Sequence, residues 1–247
     1  MVDSLMPGGV FNSYVGGIVA GVFLSVAASA TCLAAEVESS IARGGRLYDN
    51  WITDLKFDAP KENHPAWPAE NTSKNGPVTW RCKSCHGWDY KGRDGAYAKG
   101  SYKTGIAGIV RFVDAEPAQI VAIMRDKTHG FGDKLQEQDL QDLAMFVSKG
   151  QVNFEPMIDP ATKAPKGNAE KGAAYYNTIC AGCHARDGTK PKDMQDSLGK
   201  LMNDNPWETV HKVLNGQPGE PMPAMRSIDR QVVSDILAYL ATLPKTK

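Results

Sequence analysis

Two copies of one five-residue pattern constrain this chain more than any other feature: "CKSCH" at 82–86 and "CAGCH" at 180–184. They take up four of the five cysteines in 247 residues, and each pair runs directly into a histidine. Two thiols three positions apart lie on one turn of helix, and the next residue projects a ring nitrogen beside them. That is the attachment pattern of a c-type haem, in which each thiol bonds a vinyl group and the histidine supplies the proximal iron ligand.

Three other chemistries use paired cysteines, and each fits less well. A structural zinc site needs its two C-x-x-C pairs roughly 15–20 residues apart, whereas these begin 98 positions apart. A thioredoxin-like redox pair needs a βαβ context and no repeated histidine. Disulfides suit an exported protein but would not require His86 and His184 in matching places. The expected cofactors are therefore two haem c groups, held by Cys82, Cys85, Cys180 and Cys183, with His86 and His184 on the irons. The fifth cysteine, Cys32, falls in an uncharged stretch from Tyr14 to Ala35, after which the chain turns polar at Glu36. Residues 1–35 read as a signal peptide, favoured by the small residues near their end, or as a membrane anchor. Asp3 and the lack of Lys or Arg in the leading segment weaken the charge cues for both. Either reading sends the rest of the chain across a membrane. With a formal net charge of zero and no Lys/Arg run, nothing points to a nucleic-acid partner, and none is expected.

The chain also repeats itself around the two motifs. Gly172–Tyr175 upstream of the second motif recurs as Gly45–Tyr48, each reading as a short amphipathic helix. Downstream, "DLAMFV" (142–147) matches "DILAYL" (235–240). Leu140, Leu143, Ala144 and Val147 fall at helical spacing, as do Val232, Val233, Ile236, Leu237 and Leu240. Each half thus resembles a class I cytochrome c domain, a small all-α fold whose first and last helices cross beside one haem. The resemblance runs from about Ala42 to Leu243. It implies an all-α chain of two tandem cytochrome c-like domains: domain 1 over 36–149, a linker over 150–167 and domain 2 over 168–247.

In that family the sixth iron ligand is usually a methionine, often followed by proline, on the loop before the last helix. Met222 in "GEPMPAM" stands there, with Met225 as its competitor. Aligning the C-terminal helices gives an offset of 93 residues and sets His129 in the same place in the first half. The expected ligand pairs are His86 with His129 and His184 with Met222. Met124 and His64 are the alternatives to His129. His211, in a helical stretch, is expected to face solvent.

Between Asn50 and Cys82 the first half carries about 29 residues that the second lacks, rich in Pro, Asn and Trp (insertion 51–79). It reads as a loop. Trp51, Trp67, Trp80 and Trp88 either cover the porphyrin edge or merely anchor the loop. The linker reads as extended surface chain.

Iron held on both faces leaves no open position for substrate, so the resemblance implies electron transfer rather than catalysis. The expected protein is a dihaem electron carrier or the cytochrome subunit of a larger redox complex. It would lie in the periplasm or be tethered to the cytoplasmic membrane. Its partners would be a donor dehydrogenase and an acceptor cytochrome or oxidase, with electrons running from the His/His haem to the His/Met haem. The alternative is a peroxidase-like enzyme in which His129 leaves the first iron. A dihaem thiosulfate dehydrogenase relies on a cysteine ligand, and none is spare after residue 35, which argues against that reading.

Overall fold

In a computed structural model of the chain, residues 16–192 and 194–247 are described, with side chains from Ala35 onward. The chain divides after Val37 into two units, the second running from Glu38 to Lys247. The signal or anchor expected over 1–35 falls on side chains outside the described residues, Ala35 apart. Among the described residues no helix is long and apolar enough to cross a membrane.

The described residues are helical and contain no strand, with isolated bridges at Gly92–Ala107 and Ile158–Pro165. Helix α1 spans Gly16–Asp54, α2 Cys82–His86, α3 Pro117–Met124 and α4 Glu137–Met145. They are followed by α5 Ala169–Ile179, α6 Ala181–His184, α7 Leu198–Asp204, α8 Pro206–Asn215 and α9 Arg230–Leu240. The short first helix expected from sequence is the end of the longer α1, which leaves helical geometry at Asn50 (φ −158°, ψ 81°). Helix starts follow local chemistry. Pro117 and Pro206 open α3 and α8, where a missing N–H costs nothing. The side chains of Asn168 and Asp229 accept backbone N–H groups at the starts of α5 and α9, satisfying donors the helix leaves free.

Within 38–247, the first and last helices of each half cross at a glycine. A Cβ on Gly44 would lie 1.9 Å from the Asp142 carbonyl oxygen, and one on Gly172 would lie 1.9 Å from that of Asp235. Only glycine lets two backbones meet so closely. Leu140, Leu143 and Ala144 of α4 and Val233, Ile236 and Leu237 of α9 are buried there, as their helical spacing predicts. Four positions beyond each glycine a tyrosine hydroxyl donates to the carbonyl just after a motif histidine. Tyr48 reaches Gly87 at 2.6 Å and Tyr176 reaches Ala185 at 2.7 Å.

These pairs correct the repeat register by one. Gly44 matches Gly172 and Tyr48 matches Tyr176, rather than Gly45 with Gly172. Tyr48 precedes Cys82 by 34 positions and Tyr176 precedes Cys180 by 4, so the first half carries 30 extra residues. The neighbouring Gly45 faces another way, and a Cβ there would lie 2.3 Å from the Asn215 side chain of α8.

One expectation about surface position holds only in part and another is overturned. Residues 160–164 of the 150–167 segment are exposed, but its first part is not an extended surface chain. Phe154, Met157 and Ile158 are buried in the core, with Phe154 5.4 Å from the Tyr90 ring. Three large apolar side chains in a short segment gain more from burial than an extended path would keep. His211 does not face solvent either. It is fully buried, because α8 is covered on a second face by α1. Its Nε2–H donates to the Gly45 carbonyl at 2.8 Å, and its Nδ1 accepts from the Tyr90 hydroxyl at 3.1 Å.

Candidate functional site

The first motif occupies the short helix α2 at the wall of a cavity of about 390 Å³. Cys82, Cys85, His86 and His129 all line it, together with apolar side chains including Ile120 and Leu143. Burial pushes both thiols up to about 12. Burial also lowers His86 to about 4, leaving the neutral imidazole that a metal requires.

The ring orientations are fixed from behind. His86 Nδ1 donates to the Ala107 carbonyl at 2.8 Å, and His129 Nδ1 donates to Asp126 Oδ1 at 3.1 Å. Each bond assigns the proton to Nδ1 and leaves the Nε2 lone pair free, the usual outer support of a metal-bound histidine. The ring centres of His86 and His129 are 6.4 Å apart, with planes 20° from parallel. A metal–imidazole bond of ~2 Å puts each ring centre about 3 Å from a shared metal, so two such ligands sit about 6 Å apart. The residues present fit an iron porphyrin held by two thioethers and two imidazoles.

Met124 also lines this cavity but is buried on α3, as its apolar neighbours in the sequence imply. His64 lines it from the insertion. The insertion's indoles tie it down: Trp51 Nε1 donates to the Trp80 carbonyl and Trp80 Nε1 to that of Glu62, both at 2.9 Å. Trp80 anchors the loop and also lines the cavity.

The second motif lies across the Cys180 end of α5 and on α6. His184 Nδ1 donates to the Lys190 carbonyl at 3.1 Å, the counterpart of the His86–Ala107 bond. The surroundings differ. Cys183 is exposed, and burial raises Cys180 only to about 11. Met222 is half-buried on the loop between α8 and α9, with its carbonyl 2.6 Å from where a Cβ on Gly216 would stand. Met225 packs against the core, and its N–H donates to the Val213 carbonyl at 3.0 Å.

Sequence reasoning missed several residues that shape these sites. Tyr48 stands in the repeat, but its counterpart is Tyr176 rather than Tyr175, a pairing that only the helix crossings set. Asp126 carries no motif and is identified by its bonds to His129. Lys83, inside the first motif, is buried with its Nζ 5.0 Å from the Trp88 ring centre and 4.5 Å from that of Tyr102. Burial lowers it to about 7.

The family model described as cytochrome c oxidase, cbb3-type, subunit III matches residues 167–240. A cytochrome c-553-like protein of Synechocystis sp. is 32% identical over 94 residues, covering 37% of this chain and 84% of that protein. The chain belongs to the c-type cytochromes. No solved structure matches it. As a c-type cytochrome it carries haem c and moves electrons, and its described residues have the helical fold expected of that family.

Proposed function

We propose that this cytochrome is a dihaem electron carrier built of two tandem cytochrome c-like domains, 36–149 and 168–247. The observation that carries this reading is the facing pair His86 and His129, 6.4 Å apart across a cavity that also holds Cys82 and Cys85. The matching glycine crossing, tyrosine hydroxyl and supported histidine around Cys180, Cys183 and His184 favour a second haem. Met222 is its proposed sixth ligand.

When bound, each haem supplies an iron that accepts and releases one electron. The chain's own residues do the rest. Cys82 and Cys85 would hold the first haem, His86 and His129 would ligate its iron, and the apolar wall would exclude water. With both faces held, the protein transfers electrons rather than transforming a substrate. Two effects set the order of potentials. A second imidazole in place of a thioether lowers the potential of the first haem, while its deeper burial raises it. Axial ligation spans roughly 0.8 V across haem proteins and dominates, so electrons run from the His/His haem to the His/Met haem. The proposed setting is the periplasm, with residues 1–35 as signal or anchor. A donor dehydrogenase and an acceptor cytochrome or oxidase are the proposed partners.

The test is a haem count and spectrum on the full chain. A pyridine haemochrome assay should give two haems per polypeptide, and His129→Ala should turn one of them from low to high spin. One haem per chain, or a His129→Ala spectrum identical to wild type, rejects the reading.

A further inference from the structure

The insertion packs on Phe131 through Trp51 and His64, and His64 also bonds the backbone of His129 itself, a contact with a defined direction. Ala66 N–H donates to His64 Nδ1 at 3.1 Å, so Nδ1 is the acceptor and the ring proton sits on Nε2. That Nε2–H donates to the backbone carbonyl of His129 at 2.9 Å. We propose that His64 is a positioning residue for His129, through which the insertion holds the distal imidazole against the first haem. This rests on His129 being an iron ligand, as proposed above.

The ring of His64 is immobilised on its other sides. Its backbone N–H donates to Thr79 Oγ1 at 2.9 Å, and Thr79 in turn donates to the Gly76 carbonyl at 2.7 Å. The ring packs 4.5 Å from Trp80 and 5.8 Å from Phe131, centre to centre. The turn that His64 grips is tied mainly to itself. Asp126 Oδ1 accepts from the N–H groups of Thr128 and His129, both at 2.9 Å, and from the His129 ring. Asp126 is itself exposed, so these bonds shape the turn without fastening it to the body. Phe131 fastens one end by burial. His64 fastens the carbonyl of the ligand residue itself. Ligand position is sensitive to such outer support, because a small shift of the backbone moves the ring nitrogen off the metal axis.

An inert core histidine would fill the same space, so the test must separate donor from volume. His64→Phe keeps a ring and removes the donor, and His64→Gln keeps an amide donor of similar reach. Carbon monoxide binds the reduced first haem only after His129 leaves, so its binding rate reports how firmly that ligand is held. The phase belonging to this haem is the one that becomes fastest in His129→Ala. We expect His64→Phe to accelerate that phase roughly five- to tenfold, the loss of about one net hydrogen bond, and His64→Gln to stay within about twofold of wild type. The acceleration should vanish when His64→Phe is combined with His129→Ala. If His64→Phe loses haem, Thr79→Val, which frees the His64 backbone, should accelerate the same phase by a smaller factor.

An unchanged rate in His64→Phe, equal acceleration in His64→Phe and His64→Gln, or an effect that persists without His129 overturns the positioning role. A His129→Ala protein that stays fully low-spin removes the ligand assignment, and the positioning role with it. A high-spin His129→Ala with a silent His64→Phe removes the positioning role alone.

Discussion

Ala185, the residue after the second motif histidine, sits at φ 59° and ψ 167°, and its counterpart Gly87 at φ 83° and ψ 159°. That region is nearly reserved for glycine, and another residue there costs about 1–3 kcal/mol. The conformation aims the carbonyl at a tyrosine hydroxyl, at Tyr48 in one half and Tyr176 in the other, so both halves need it and only the first uses the residue that adopts it freely. Replacing Ala185 by glycine relieves the strain and adds freedom to the unfolded chain, which takes back about 0.4–1 kcal/mol. The net expectation for Ala185→Gly is a gain of about 1 kcal/mol in denaturant unfolding of the holoprotein. The reverse change, Gly87→Ala, should destabilise by more. It creates the strain and also sets a Cβ 2.7 Å from Asp89 Oδ1. Equal stability of Ala185→Gly and wild type would mean that this turn relaxes without cost.

Among the helices, one substitution separates local preference from packing. Gly172→Ala should favour α5 by about 1 kcal/mol through helix propensity. It also drives a methyl group 1.9 Å from the Asp235 carbonyl oxygen of α9, and forced overpacking of this kind costs typically about 1–3 kcal/mol or more. The clash wins, and the expected outcome is a lower thermal midpoint with α5 and α9 pushed apart. A raised midpoint would show that the crossing is looser than the distances say. This element also shows how far the sequence could be read. The motif spacing is set by bonds to one rigid cofactor, and helix periodicity by the 3.6-residue turn, so both were visible along the chain. Gly44 and Gly45 are adjacent and chemically identical. Their different neighbours, Asp142 on α4 and Asn215 on α8, exist only in three dimensions, so the sequence alone sets the repeat one residue out of register. His64 was legible as a histidine in a loop. Its bond to the His129 carbonyl spans 65 positions, and no local pattern encodes that.

At the scale of the whole 38–247 unit, the seam between α1 and α8 is where sequence reasoning failed most and where pH should act. Asp49, on α1 and buried, pairs with Lys212 of α8 at 2.6 Å and also with Arg81, and these two cations hold its carboxyl well below the usual range. One residue away on α8, His211 is enclosed by the rings of Tyr48, Trp88 and Phe146. Burial lowers its proton affinity from 6.5 to about 4, with Lys212 and Arg226 acting the same way and Asp49 opposing. The folded value of a base lies below its unfolded one, so between these values the unfolded chain binds a proton that the folded chain refuses. The neutral-state contribution is intact above about pH 6.5, declines as pH falls, and its loss amounts to ~3 kcal/mol by pH 4. Protonation at Nδ1 would also remove the acceptor used by the Tyr90 hydroxyl. His211→Gln cannot titrate, yet it leaves that hydroxyl poorly matched, so at pH 7 it should be about 1–3 kcal/mol less stable than wild type. Urea unfolding of both proteins at pH 7 and pH 5 should show the gap narrowing as the wild type loses its advantage. A gap that stays constant across that range would mean His211 accepts its proton as readily inside the seam as in water, which its enclosure by three aromatic rings does not permit.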